Sequence, residues 1–504
     1  VDITVIPRKP PVSAPPTPAG FLIQGARFLR RLGTGREYRR LRWIFAVGLA
    51  VRLVLAAMTA WPADTATAIH AAQSVLQFGN PYILGWGEPP LTPYLAAPTV
   101  ALAAFLVGNG SLLPVVPQLA PLASVTGFRF LISPSPPALL AWKLPLILSD
   151  LLVGLLLYHL VGVLAPGGSP RRELVVALWL LNPLVIWSSV IDGEVDSLVA
   201  LFLLLLLVSL MYRWWFLAGA AIALGTFTKG YPFIFLPAAL CVAFVPALAG
   251  IEPWANARRA LSRFVAGMLP ALLAFLFLTS EVVQVLSADF FSTAYGGASL
   301  SIVFNPSSPG GSGLYAQLIQ SPFAPLVLML LLRGVATAGV VFAVLALAIR
   351  IARRPLDETQ RGRTVWLALL LTAASVLLAD PGPQPERLLG TLGLLSLAPA
   401  LLSGRRWIAL NATLSASGLT IYAAFVTPLG VFFPTVTRLG PVATERFVSW
   451  ILAYNAVPYL RGSLWYVAGL LGGVTLLAIW WSSIRGLRPP SQGARNARPV
   501  ESPN

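Results

Sequence analysis

Three carboxylates fall within five positions in Asp192-Gly-Glu194-Val-Asp196, between two strongly apolar runs. A solvated turn with an acidic N-cap for the next helix explains one of these acids and leaves two. Together they have the chemistry to bind a cation or sugar hydroxyls. The spacing is not that of an EF-hand and no His accompanies the acids. No metal ligand set is therefore assigned, and a divalent cation is the one cofactor candidate. Lys229-Gly-Tyr231-Pro places a cation beside a Gly-Pro break, where exposed backbone N–H groups favour an anion. A lysine snorkelling from a helix end is the plainer reading of the same residues.

Asp64 follows Trp61-Pro-Ala and precedes an alanine- and threonine-rich run. It reads as a helix N-cap or as a catalytic base, and the two roles are compatible. Asp380, Glu386 and Arg387 make a further charged segment, in which Arg387 is a second phosphate partner or an interface anchor. Lys143 and Asp150 lie seven residues apart and share one helix face. His70 and His159 have no metal-ligand spacing. No P-loop or dinucleotide fingerprint is present, and the glycine-rich stretch Pro309–Gly313 reads as a loop.

The elements that hold these residues are membrane helices. Of 504 residues, 57% are hydrophobic and only 11% are charged, where soluble domains run near a quarter charged. Mean hydropathy is +0.78. Apolar runs recur near the ~20 residues that a spanning helix needs, and inside a bilayer the backbone must satisfy its own hydrogen bonds. Twelve spans are expected, at 43–61, 139–164, 174–190, 196–212, 214–228, 231–249, 264–280, 323–349, 364–379, 387–403, 406–426 and 463–482. Tyr94–Val107 is apolar but short, which suits an interfacial helix.

The net charge of +17 would suggest nucleic acid in a soluble protein. Here the basic residues mark cytoplasmic loops instead, and no nucleic-acid partner is expected. Arg30, Arg31, Arg36, Arg39, Arg40 and Arg42 put the N-terminus inside. Alternation then makes 165–173, 250–263 and 350–363 cytoplasmic, each with arginines, and the C-terminus as well. The acids at 64 and 192–196, together with Lys229 and Arg387, fall on the opposite, outer face. Residues 62–138, 281–322 and 427–462 become three outer loops. The tails 1–24 and 485–504 read as disordered, being rich in Pro, Arg and Ser. The single cysteine, Cys241, excludes an internal disulfide.

Several segments resemble GT-C glycosyltransferases. Ala71 to Tyr82, followed by Pro93-Tyr94, is similar to their first outer loop. Lys143 to Tyr158 resembles their second span, Trp179 through Ser197 the next loop, and Lys229-Gly-Tyr-Pro-Phe a further family segment. The pattern is that of polyprenyl-phosphate-mannose-dependent mannosyltransferases, a group that includes the first mannosyltransferase of GPI-anchor assembly. The likeness covers roughly residues 60–240. Pro62 replaces the first acid of an Asp-x-Asp found in some relatives, so a two-carboxylate metal site is not expected there. The His-rich segment of the GPI enzymes is absent from 281–322, so GPI-anchor chemistry is not expected.

The resemblance implies an all-α GT-C-like fold, with residues 25–484 forming one transmembrane catalytic domain in the cell membrane. It implies inverting transfer of a hexose, mannose foremost, from a polyprenyl-phosphate donor to a glycolipid or glycan acceptor. Asp64 would be the general base. Lys229 and Arg387 would stabilise the leaving phosphate, and Glu194, Asp196, Tyr231 and Tyr82 would bind substrate. An outer-face site independently calls for a lipid-carried donor, because nucleotide sugars are cytoplasmic. The rival readings are a lipid or glycolipid flippase, which would carry mid-membrane charges and related halves, and a non-catalytic membrane subunit.

Overall fold

The computed structural model describes residues 17–61, 64–84, 86–122, 132–165, 169–276, 324–353, 355–379, 387–402, 405–425, 430–455 and 458–487. Among these, all regular structure is helical apart from one isolated bridge between Val115 and Ile132. The helices are α1 (Pro18–Thr34), α2 (Arg39–Met58), α3 (Asp64–Phe78), α4 (Leu91–Val107), α5 (Pro136–Leu164), α6 (Ser169–Leu180) and α7 (Pro183–Ile186). After a π-helical turn at Trp187–Asp192 come α8 (Asp196–Tyr212), α9 (Trp215–Thr226), α10 (Leu236–Leu248) and α11 (Trp254–Leu276). The rest are α12 (Ala324–Arg353), α13 (Glu358–Ala379), α14 (Leu388–Leu395), α15 (Ala398–Leu401), α16 (Arg405–Phe425), α17 (Phe433–Thr437), α18 (Pro441–Asn455) and α19 (Pro458–Leu487).

The chain is an all-α polytopic membrane protein. Seven described segments are long and apolar enough to cross a bilayer: Arg36–Met58, Pro136–Leu164, Arg171–Asp192, Tyr231–Leu248, Gly334–Arg353, Glu358–Leu378 and Val467–Leu487. That corrects the expected twelve. The described parts of the other five expected spans are largely helical but fall outside this set. The helix α8 has 17 residues, or about 25 Å at 1.5 Å per residue, against ~30 Å of hydrocarbon. The 12-residue α9 ends where Thr228, Lys229 and Gly230 interrupt the helical run. The stretch 387–403 breaks between α14 and α15. Helix α16 opens on Arg405 and Arg406, α11 carries Arg258, Arg259 and Arg263 in its first half, and both are partly polar.

The tails also differ from expectation. Helix α1 begins inside the supposedly disordered 1–24, because Thr17 caps it through a 3.1 Å bond from the Gly20 N–H and Pro18 occupies its first turn. At the other end α19 runs two residues past 485. The expected first outer loop contains α3 and α4, and the third contains α17, α18 and the start of α19. The second, 281–322, lies outside the described residues, as do Asp380 and Glu386.

The helix α8 is apolar on every side between its ends, and such a helix belongs at the centre of a bundle. All but one of its residues are buried. It packs on α5, α9, α13 and α14, while α13 in turn carries α12 and α19. Across the bundle α9 crosses α11 at two glycines. A Cβ on Gly219 would meet the Phe264 carbonyl oxygen at 2.0 Å, and one on Gly267 would meet that of Phe216 at 1.9 Å. Small residues at such crossings let backbones touch.

Between α2 and α5 the packing is ionic. Arg52 Nε donates to Asp150 Oδ2 at 2.8 Å, and both side chains are fully buried. Arg52 Nη1 donates to the Leu180 carbonyl at 2.7 Å and to that of Gly48 at 3.1 Å. Ser189 Oγ donates to the same Asp150 oxygen at 2.6 Å. Removing one partner of a buried pair costs about 3–5 kcal/mol, since the other charge is left uncompensated. Thermal unfolding in detergent should therefore show a large drop in midpoint for Arg52→Met. Adding Asp150→Leu should recover most of it. A single variant as stable as the parent would show that the pair carries no weight.

Candidate functional site

The acidic segment is presented by a widened turn. The chain leaves α7 as a π-helix, which often marks a functional position. It ends at Gly193, whose φ of 87° is left-handed, and the N–H groups of Gly193 and Glu194 both donate to the Ser188 carbonyl. Glycine is favoured there on two counts. It takes that φ without strain, and a Cβ would come within 3.2 Å of Trp142 Nε1 and 3.3 Å of Lys143 Cε. Trp142 Nε1 donates to the Gly193 carbonyl at 3.0 Å and pins the turn to α5.

Glu194 and Asp196 then meet Lys229, which lies in the break after α9. Lys229 Nζ stands 3.6 Å from Glu194 Oε2 and 3.9 Å from Asp196 Oδ2. A third carboxylate joins them, for Lys229 Nζ donates to Glu88 Oε1. Tyr231 Oη donates to Asp196 Oδ1 at 3.0 Å. Arg387, at the head of α14, lies within electrostatic range of Tyr231 and lines a cavity of about 10 Å³ with it. Asp196, Lys229, Tyr231 and Arg387 are all buried, whereas Glu88 keeps 31% of its side chain exposed. Five of the expected site residues are thus close together or linked through one another: Glu194, Asp196, Lys229, Tyr231 and Arg387.

Tyr82 packs against the apolar group that contains Leu91 and Phe227. Its backbone N–H is held by Asn80 Oδ1 at 2.9 Å. Asp64 opens α3, and its side chain is outside the described residues. The helix start is nevertheless anchored to the acidic turn, because Thr65 Oγ1 donates to the Asp192 carbonyl at 3.1 Å. Lys143 and Asp150 do share an inward face but serve different partners. Lys143 Nζ donates to the Thr59 carbonyl at 2.6 Å and lies in range of Asp192, while Asp150 takes Arg52.

Among the described residues no three His, Cys, Asp or Glu side chains form a set that would hold a metal ion. The geometry explains this for the acids at hand. The ammonium of Lys229 takes the place between Glu88, Glu194 and Asp196 that a cation would need.

Glu88 and Arg52 are the residues that sequence reasoning missed. Glu88 is the only acid between Asp64 and Asp150, set in Gly85-Trp-Gly-Glu-Pro-Pro90. A lone carboxylate in an apolar Gly/Pro loop was the available signal. Arg52 stands inside an apolar run, where an ionisable residue calls for a named partner.

The model of a family described as GPI transamidase subunit PIG-U matches residues 118–309. That range includes the acidic turn and Lys229 but neither Asp64, Glu88 nor Arg387. No curated protein matches the chain. Among solved structures, ArnT from Cupriavidus metallidurans, bound to undecaprenyl phosphate, is similar at 15% identity. The match covers 88% of this chain and 77% of that one, with a TM-score of 0.34. The Archaeoglobus fulgidus oligosaccharyltransferase in its apo form is similar at 13% identity, covering 87% and 56%, with a TM-score of 0.35. AglB from the same organism, in complex with an inhibitory peptide and a dolichol-phosphate, gives 13%, 87%, 56% and 0.37. The chain thus spans little more than half the length of either oligosaccharyltransferase chain.

Burial pushes the Glu88 carboxyl up to about 7, Lys229 pulls it back, and Glu194 adds to the rise. Between about 4.5 and 7 the folded chain holds a proton at Glu88 that the unfolded chain has released. Stability therefore falls as pH rises through that window and levels off above it. Denaturation midpoints measured across this range should show the fall in the parent, and Glu88→Gln should remove this contribution. Parallel profiles for the two proteins would mean that Glu88 does not titrate there.

Proposed function

We propose that this chain is an integral membrane glycosyltransferase. It moves a hexose, mannose foremost, from a polyprenyl-phosphate donor to a lipid-linked glycan or other acceptor, on the non-cytoplasmic face. One observation carries this reading. Glu88, the Glu194–Asp196 pair, Lys229 with Tyr231, and Arg387 come from four separate stretches of chain and gather at one end of α8. The motif resemblance gives that gathering its chemistry, and the single domain 25–484 with its outer loops supplies the frame.

In the reaction, the Asp64 carboxylate takes the proton of the acceptor hydroxyl. The acceptor oxygen attacks the anomeric carbon from the face opposite the phosphate. The bond from that carbon to the phosphate oxygen breaks, and the configuration inverts. Lys229 and Arg387 stabilise the charge that grows on the leaving polyprenyl phosphate. Glu194 and Asp196 hold the sugar hydroxyls, with Tyr231 bracing Asp196 and Tyr82 flanking the pocket. Glu88 holds the Lys229 ammonium while no donor is bound, and the donor phosphate takes its place. A protonated Glu88 yields that position more easily, because it no longer competes as an anion.

A second reading rests on the match of residues 118–309 to the GPI transamidase subunit model. In it the chain is a non-catalytic membrane subunit, and its polar cluster holds a partner or a lipid. Transfer assays separate the two. Purified chain, radiolabelled polyprenyl-phosphate-mannose and a membrane lipid extract should give a labelled product. Asp64→Asn should lower the rate about 10²–10⁴-fold, the usual contribution of a general base. Lys229→Met should cost on the order of 10²–10³-fold. Donor binding without transfer by the parent would favour the subunit reading, and equal transfer by parent and Asp64→Asn would remove Asp64 from the mechanism.

A further inference from the structure

The end of α8 remote from Asp196 carries a second polar site. Arg213 follows the last residue of that helix in a left-handed conformation, φ 61° and ψ 35°. It is the only non-glycine with positive φ among the described residues. Glycine is the usual occupant of this position after a helix, and an arginine kept there points to a use for its guanidinium. Arg213 Nη2 pairs with Glu252 at 2.5 Å, while its Nε is buried without a hydrogen-bond partner.

Two cavities, of about 320 and 190 Å³, adjoin here and share Arg213, Val242 and Glu252 in their walls. Arg361 lines the larger one. Its Nη1 and Nη2 donate to the carbonyls of Met211 and Leu356, 2.9 Å each, so the cation is fixed in place. Arg213 lies close enough to Arg361 to repel it. Arg259 and Arg263, one turn apart on α11, line the smaller cavity with Asn256. Four guanidinium groups thus line the cavities with two carboxylates, Glu252 and Glu358, while Asp357 also lies in range of Arg361, and the balance is cationic. The wall of the larger cavity also carries Val242, Pro246 and Leu356.

A solvated basic rim would need neither a left-handed arginine nor a buried Nε beside two adjoining clefts. We infer that the paired cavities bind the phosphate group of an anionic phospholipid. The arginines take the phosphate, and the apolar wall takes the glycerol end and the first methylenes. Basic pockets between helices at the charged face of a membrane protein bind such headgroups. The inference rests on the membrane helices and not on the transferase reading.

The test uses the full chain purified in detergent and its thermal unfolding. Dioleoylphosphatidylglycerol should raise the midpoint in a saturable way, because a ligand of the folded state stabilises it. Dioleoylphosphatidylcholine should not. Arg213→Gly keeps the backbone conformation and deletes the guanidinium, and Arg263→Gln neutralises a partly solvated cation. Each should weaken the apparent Kd for the anionic lipid by about fivefold. No midpoint rise with the anionic lipid, or equal affinity in the parent and both variants, would overturn the site. Inorganic phosphate at millimolar concentration serves as the last arm. A full midpoint rise from it would reassign the site to free phosphate and overturn the lipid.

Discussion

A guanidinium–carboxylate pair sealed between α2 and α5 is the constraint on which the polar end of the bundle depends. Arg52 and Asp150 are fully buried, and a low-dielectric interior makes each intolerable without the other. The pair reaches further than two helices. Arg52 Nη1 bonds the last turn of α6 at Leu180, and Ser189 ties the same carboxylate to the π-helical turn. A second strut runs nearby, from Lys143 Nζ to the carbonyls of Thr59 and Ile191. The end of α2, the middle of α5 and the approach to Asp192 therefore cannot slide independently. These charges lie within spans, where a transport pathway would also place them. Their hydrogen bonds, however, go to backbone carbonyls and to Ser189, which marks them as a clamp.

The clamp allows the acidic turn to be widened without becoming loose. In a π-helix each N–H reaches one residue farther back than in an α-helix, so the turn is broader and its exit direction changes. Gly193 completes that change with its left-handed backbone, and Trp142 holds its carbonyl. Glu194 and Asp196 are thereby aimed at the break after α9, where Lys229 stands free of helix geometry. The cluster holds its charges in opposition, and one member, Glu88, comes from a loop that keeps partial contact with water. Asp196 is fully buried and held by Tyr231, Glu194 is mostly covered, and Glu88 is the most exposed of the three and sits on a loop that can give way. That difference is why Glu88, and neither Glu194 nor Asp196, is the carboxylate suited to yield to an incoming anion.

Composition alone was enough to make this a membrane protein, because so few charges in so much apolar chain leave no soluble alternative. The acidic turn and Lys229 were legible for the same reason, as charges interrupting apolar runs. Their meeting was not legible. It depends on α8 and α9 lying side by side, a packing that no local pattern encodes. Glu88 was overlooked because its partner is 141 residues away. Arg52 was read past because hydropathy tolerates one charge in a long apolar run and says nothing of the acid opposite. The span count failed on a related point. An apolar run reports burial, and α8 is buried by protein on all sides whether or not it reaches both faces of a bilayer.

That shortness has a consequence for both polar sites. At about 25 Å, α8 falls short of the hydrocarbon by roughly 5 Å. The polar groups at both ends have protein partners of opposite charge or hydrogen bonds. At the first end Asp196 has Lys229 and Tyr231. At the other, Arg213 has Glu252. The space beside these groups is unequal, about 10 Å³ next to Tyr231 and Arg387 at the first end and two larger cavities next to Arg213 at the other. A chamber with acids around a lysine suits hydroxyls and an exchangeable anion, and a chamber with excess arginine suits a retained one.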